Sequence, residues 1–332
     1  MGCGHIARTV HCPNVAALPG AAIAAYCDVD ESRARALLAE HGGEYATTSA
    51  HRVIGDPSLD GVLLMVGPER HPALVQAAAR AGKHVFCEKP IALELADALE
   101  TVRVVEESGA RFQYGTCCRL APGPLAAARR CPRPLYSYAQ CADTVTHQAA
   151  HNLDLAVHLF HRAPLVRVYA SGGQHWGLDP HLPADSFAAV LTFADGSTHT
   201  YLQHGRAYNA LLRKFHYQLF GTDVCVMLAR RFKECHAMRG PDEAERVWGF
   251  DGGDWDLTGP DGYMGHYREL EELAACIREG GKRNGSLTVR QAAYVLAVEK
   301  AILRSVETGA VVDFAGFLEE SGGGFLARGP HP

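Results

Sequence analysis

Lysine is scarce in this chain, with six among 332 residues. Lys and Arg together number 32 against 37 Asp and Glu, a formal net charge of −5. With no basic stripe alternating with aromatics, this balance argues against nucleic acid or an anionic membrane as the main partner. No apolar run is long enough to span a bilayer, and no basic stretch followed by an apolar core stands at the start. No C-x-x-C pair occurs, and the 11 cysteines are odd in number and scattered, which disfavours a secreted disulfide framework. Free, mostly buried thiols predict a reducing, cytoplasmic location. The adjacent Cys117 and Cys118 are expected to face opposite sides of a strand. Internal repeats and coiled-coil heptads are absent as well.

What is present is ordinary globular material, 47% hydrophobic and 21% charged. The length exceeds what one hydrophobic core usually serves, so two domains are expected. The first part alternates short apolar strands with amphipathic helices, the pattern of a parallel sheet. Strands are predicted over Ala21–Asp28, Asp60–Val66, His84–Cys87 and Arg111–Thr116. Helices are predicted over 30–41, 71–81 and 93–109, the first capped by Asp30 and stopped by Gly42-Gly43. Beyond Arg119 the strands lengthen and alternate, at Val166–Ser171, Ser186–Phe193, His199–His204 and Phe215–Phe220, with turn signals such as Asp195-Gly196 between them. Amphipathic helices follow over 267–280 and 289–309. The expected class is α/β: a Rossmann-type doubly wound domain over 1–119, an α/β domain with a largely antiparallel open sheet over 120–318, and a free Gly/Pro-rich tail over 319–332.

Gly2-Cys3-Gly4-His5-Ile6-Ala7 fits the G-x-G-x-x-G/A fingerprint. Its glycines permit a tight turn and close backbone approach to a pyrophosphate resting on a helix N-terminus. Asp28 ends the next strand, 21 residues beyond Ala7, where an acid binds an adenosine ribose hydroxyl and repels a 2′-phosphate. NAD is therefore expected over NADP; a helix cap followed by a surface aspartate is the other reading. A fingerprint of this type follows a central strand, yet only Met1 precedes Gly2. Four or five buried aliphatics at roughly 1.5–3 kcal/mol each approach a whole domain's stability of about 5–15 kcal/mol, so the natural start is expected upstream. The alternative is a truncated protein that binds cofactor poorly.

Gly82-Lys83-His84-Val85-Phe86-Cys87-Glu88-Lys89-Pro90 is the most specific stretch. Ligands of such sheets sit beyond the carboxyl ends of the strands, so Lys89 is expected beside nicotinamide and substrate. Its ammonium can donate to a substrate hydroxyl and stabilise the charge that develops there. Pro90 fixes the turn and favours a cis bond.

This stretch resembles the AGKHV-x-x-EKP signature of the Gfo/Idh/MocA family (glucose–fructose oxidoreductase/inositol dehydrogenase). Asp60-Gly61-Val62 and Pro68-x-x-His71 are similar to that family's preceding segment, with Gly67-Pro68-Glu69 in place of Thr-Pro-Asn and a spacing one residue short. Gly115-x-x-x-Arg119-x-x-Pro122 resembles its domain junction. His147-Gln-Ala-Ala-His151-Asn-Leu-Asp154 matches its second signature, in which His151 takes the place of the catalytic histidine and His147 replaces the usual aspartate. The resemblance implies a substrate-pocket wall on the second sheet and a dimer or tetramer.

The catalytic set expected is Lys89, His151 and His147; the cofactor set is Gly2, Gly4, His5, Ile6, Ala7, Asp28, Glu88 and Lys89. Residues 147 and 151 share a helical face, and a neutral imidazole is a suitable base for an alcohol proton. The two imidazoles also have the spacing of zinc ligands, but no third ligand is evident, so no metal is expected. His158 and His161 read as packing or surface residues. The expected function is reversible hydride transfer between NAD and a secondary alcohol or ketone of a sugar, cyclitol or related polyol. A non-catalytic dinucleotide or sugar sensor on the same fold is the alternative, and a non-sugar substrate such as an imine or an aromatic diol is a third.

Overall fold

The computed structural model describes residues 1–205, 214–240, 242–280 and 285–328. In chain order the elements begin with α1 (Cys12–Ala16), β1 (Ala25–Cys27), α2 (Glu31–His41), β2 (Tyr45–Thr47), α3 (Ala50–Ile54) and β3 (Gly61–Leu64). Next come α4 (His71–Arg80), β4 (His84–Glu88), α5 (Leu95–Ser108), β5 (Phe112–Gly115), α6 (Pro122–Arg130), β6 (Tyr136–Ala142) and α7 (Val145–Asp154). Seven strands follow, β7 (Leu165–Gly173), β8 (Ser186–Phe193), β9 (Thr198–His204), β10 (Phe215–Phe220), β11 (Cys225–Ala229), β12 (Glu234–Gly240) and β13 (Glu243–Gly249). The chain ends with α8 (His266–Arg278), α9 (Val289–Thr308), β14 (Val312–Asp313) and α10 (Phe314–Glu320).

These elements form two compact units, Met1–Cys117 with Asp254–Ala293, and Cys118–Gly253 with Tyr294–Pro332. The return of 254–293 to the first unit differs from a simple succession of domains. Its reason is apolar: Leu270 and Leu273 of α8 bury against Val15, Leu18 and Phe86.

In the first unit every strand pair is parallel, as the βα alternation requires. β1 pairs with β2, and β3-β4-β5 form a second ladder. No strand among the described residues joins the two ladders. A cleft of about 460 Å³ lies between them, lined by Ala25, Tyr26, Val62, Leu63, Leu270 and Leu273 among others. Met1 and Gly2 bridge its end: the Met1 amine donates to Leu63 O at 2.8 Å, Met65 N to Met1 O at 2.9 Å, and Gly2 N to Cys27 O at 2.8 Å. The strand expected over Ala21–Asp28 contracts to Ala25–Cys27, because only that part finds a partner, in Tyr45–Thr47.

The second unit carries one nine-stranded sheet in the order β13-β12-β11-β10-β6-β9-β8-β7-β14, antiparallel throughout except for the β6–β9 pair. Alternation decides its faces. Phe187, Ala189, Leu191 and Phe193 of β8 and Tyr201 of β9 point into the core, while Val190 is exposed. Ser305 of α9 accepts from Ala170 N at 2.8 Å and so ties that helix to β7.

Two expectations are corrected. Cys117 and Cys118 lie in a 3₁₀ turn, Cys117–Leu120, and both are buried, since the β5 ladder stops at Gly115. The chain beyond Glu319 is not free as far as 328: a 3₁₀ turn, Gly324–Arg328, buries Leu326. The expected tail over 329–332 lies outside the described residues.

Candidate active site

The glycine-rich loop leaves the β1 edge and enters a helical segment that contains a π turn, Ala7–His11, before α1. Gly2 has φ 83°, and a Cβ there would stand 2.3 Å from Met65 O, so no other residue fits the turn. Gly4 has no atom within 4 Å of such a Cβ, so its missing side chain leaves open space at the helix N-terminus. His5 is exposed and meets Trp255 edge-on, Ile6 is half-buried, and Ala7 is fully packed. Asp28, just past β1, accepts from Cys3 N at 2.7 Å and from Asp30 N at 2.9 Å. Its carboxylate is thereby fixed beside the loop, with lone pairs remaining for a ribose hydroxyl. The fingerprint residues are thus brought together within one unit.

Glu88 and Lys89 stand at the carboxyl end of β4 in the same unit, and the Lys89–Pro90 peptide is cis. Glu88 is buried and accepts from His11 Nε2 at 2.7 Å. Burial raises the Glu88 pKa, but the His11 hydrogen bond and the Lys89 charge outweigh it and hold the carboxyl below its usual range. Burial also lowers His11, so a neutral imidazole donates to a carboxylate. His71 braces the strand ends, with Nδ1 2.7 Å from Pro90 O and Nε2 3.1 Å from Val66 O.

Within the second unit, α7 carries the two other histidines. Thr144 caps the helix, accepting from His147 N at 3.3 Å, and Asp179 receives Val145 N and Thr146 Oγ1, each at 2.7 Å. His147 is exposed, whereas His151, one turn on, is 7% exposed and edge-on to Phe215. Asp154, at the end of α7, receives Arg119 Nε at 2.8 Å and Nη2 at 2.6 Å. A carboxylate does stand near His147, that of Asp143, which is ion-paired with Lys214. His161 is a packing residue, stacked on Phe193 with centroids 4.4 Å apart, and half-buried His158 packs on Tyr294.

Sequence reading missed His11, His266, Glu269, Asp143 and Lys214. Only His11 carried a local signal, as an apolar-face imidazole just beyond the glycine loop. The others acquire meaning only from partners distant in the chain.

Residues 1–116 match the family model described as an oxidoreductase family with an NAD-binding Rossmann fold, Gfo/Idh/MocA. A myo-inositol 2-dehydrogenase of Thermotoga maritima is 41% identical over 108 residues, 32% of this chain and 31% of that protein. A 1,5-anhydro-D-fructose reductase of Ensifer adhaerens is 33% identical over 172 residues, 52% of this chain and 50% of that protein. The chain thus spans about a third to a half of the length of these curated relatives. An oxidoreductase of Agrobacterium radiobacter, solved with NAD+, L-tartaric acid and magnesium, shares the fold at a TM-score of 0.78 and 19% identity, covering 96% of this chain and 98% of that one. No helix among the described residues is long and apolar enough to cross a membrane. Residues 1–116 are thus similar to the NAD-binding Rossmann domain of the Gfo/Idh/MocA oxidoreductases.

Proposed function

We propose that the protein is an NAD-dependent dehydrogenase that transfers a hydride reversibly between the nicotinamide and a secondary alcohol or ketone of a sugar, cyclitol or related polyol. One observation supports this reading: Lys89 directly follows a parallel strand in the same unit as a glycine loop whose Gly2 excludes a side chain and whose Cys3 amide holds Asp28. The loop fits NAD, since the turn at Gly2 excludes a side chain and Gly4 leaves room for a pyrophosphate. Asp28 favours NAD over NADP by charge. Bound there, NAD supplies the hydride acceptor.

The protein's own groups supply the rest. Lys89 donates a hydrogen bond to the reacting oxygen and stabilises its charge as the proton leaves. On α7 of the second unit, His151 is the base for an alcohol proton, and His147 on the preceding turn assists it. Glu88, held by His11, fixes the backbone from which Lys89 projects. The polyol class rests on the names of the partial relatives.

The test is a polyol screen with NAD, followed by the absorbance of NADH, on the native protein and Lys89→Met. Turnover of a polyol that falls about 10²–10³-fold in the variant, at unchanged NAD affinity, supports the reading. Full turnover in Lys89→Met sinks the catalytic assignment, and failure to bind NAD or NADP sinks the dehydrogenase.

Self-association and a cytoplasmic location belong to the same reading. Tyr169 and Val190 lie directly opposite on β7 and β8, 44% and 40% exposed, and with Tyr136 and Val166 give the second sheet an apolar outer face suited to a second copy. Tyr169→Asp should lower the mass seen by light scattering; an unchanged mass would remove this face from the interface. Ten of the eleven cysteines are buried and all are free, as a reducing compartment permits. Localisation of a tagged full chain tests the last point, and export would overturn it.

A further inference from the structure

We propose that His11, His266 and Glu269 form a site for one divalent transition-metal ion of the zinc class, with Glu88 as the carboxylate that orients His11. The four side chains lie within the first unit, and two of them, His11 and Glu88, also brace the strand end that precedes Lys89. One donor atom from each of His11, His266 and Glu269 lies within 4.8 Å of the other two. His11 and Glu269 are fully buried, and His266 and Glu88 are 9% and 8% exposed.

The fold builds this group deliberately. His266 and Glu269 occupy the first turn of α8 three residues apart, hence on one face, with His266 Nδ1 3.3 Å from Glu269 Oε1. His11 closes the π turn, whose wider winding sets its ring edge-on to His266 at 5.9 Å. Two buried polar atoms, His11 Nδ1 and Glu269 Oε2, have no hydrogen-bond partner. Native proteins rarely leave such buried groups unanswered.

A cation answers both. Imidazole nitrogens and a carboxylate oxygen suit zinc, cobalt or nickel, and zinc holds them at about 2.0–2.2 Å. His11 ligates through Nδ1, since Nε2 is engaged by Glu88 at 2.7 Å. A ring nitrogen turned to a carboxylate is the usual outer support of a metal-bound histidine. Binding releases whatever proton Glu269 carries, and the two carboxylates neutralise the dication.

The full chain, freed of metal by chelator and dialysed against zinc sulfate, should retain one equivalent by elemental analysis. Cobalt should give the visible bands of a four-coordinate nitrogen–oxygen site, without thiolate charge-transfer absorption. Glu269→Gln and His266→Gln should each weaken binding at least about tenfold while thermal unfolding stays cooperative. Because the cobalt spectrum is read on the unsubstituted protein, a variant that fails to fold leaves the test intact. Absence of retained metal, a thiolate-type spectrum from the cysteines, or undiminished binding by folded Glu269→Gln would overturn the site.

Discussion

Arg119 and Asp154 form a two-pronged ion pair inside the second unit, with Nε 2.8 Å from Oδ2 and Nη2 2.6 Å from Oδ1. Asp154 is fully buried and Arg119 is 6% exposed. The planar guanidinium matches the carboxylate at both atoms, which anchors the last turn of α7 and hence the frame of His151.

Asp154→Ala should therefore destabilise by about 3–5 kcal/mol, because it removes the carboxylate that neutralises a buried guanidinium. Arg119→Met combined with Asp154→Leu should recover much of that loss. Urea unfolding of the three proteins measures it; equal loss in the single and the double variant would show that the pair is not the source.

The loop glycines should separate packing from ligand binding. Gly2→Ala meets Met65 O and a positive φ, so both thermal stability and NAD binding should fall. Gly4→Ala meets nothing in the protein and should fold normally, yet bind NAD at least about tenfold more weakly if the pyrophosphate approaches there. Calorimetric titration beside thermal melts decides it, and an unaffected NAD affinity in Gly4→Ala would refute this placement.

Acid sensitivity should trace in part to His161. Burial lowers its pKa to about 4, while Nε2 and Nδ1 contact Ser137 Oγ at 2.6 Å and Ser197 Oγ at 2.9 Å. The unfolded imidazole titrates near 6.5, so the unfolded chain takes up a proton that the fold refuses. Stability from this group is complete above about pH 6.5 and declines as pH falls toward 4, by roughly 3 kcal/mol at the limit. His161→Gln should be less stable than the native protein at pH 7 and show a shallower loss toward pH 4.5. Parallel stability curves for the two proteins would exclude His161 as a source.

The cleft between β1 and β3 should accept a strand. Five apolar residues joined ahead of Met1 would run parallel to both ladders from the Met1–Leu63 and Gly2–Cys27 contacts. About 1.5–3 kcal/mol for each buried aliphatic predicts a higher melting temperature and stronger NAD binding. A polar extension of equal length is the control. Equal behaviour of the two would show that the cleft is not a strand slot.

Much of the local geometry of the candidate site was legible because short motifs encode short-range geometry. Gly2-x-Gly4-x-x-Ala7 and Asp28 describe one corner, the helix N-terminus and the end of β1. An apolar run ending in Glu88-Lys89-Pro90 marks the strand end where ligands of such sheets gather. The alternation in Ser186–Phe193 fixes which side chains of β8 face inward. These readings depend on periods of two and 3.6 residues and on single φ requirements, all local properties.

Tertiary structure alone decided the partnerships. His11 and Glu88 are 77 positions apart, Arg119 and Asp154 35, and neither member of either pair announces the other. The junction motif and the H-x-x-D motif became one ion pair only when α7 packed. Residues 254–293 returned to the first unit because the apolar face of α8 found Val15, Leu18 and Phe86. Periodicity states that a helix has a face to bury, and only packing states against what. By the same reasoning Glu269 and His266, unremarkable on an amphipathic helix, became half of a buried polar group once α8 covered His11.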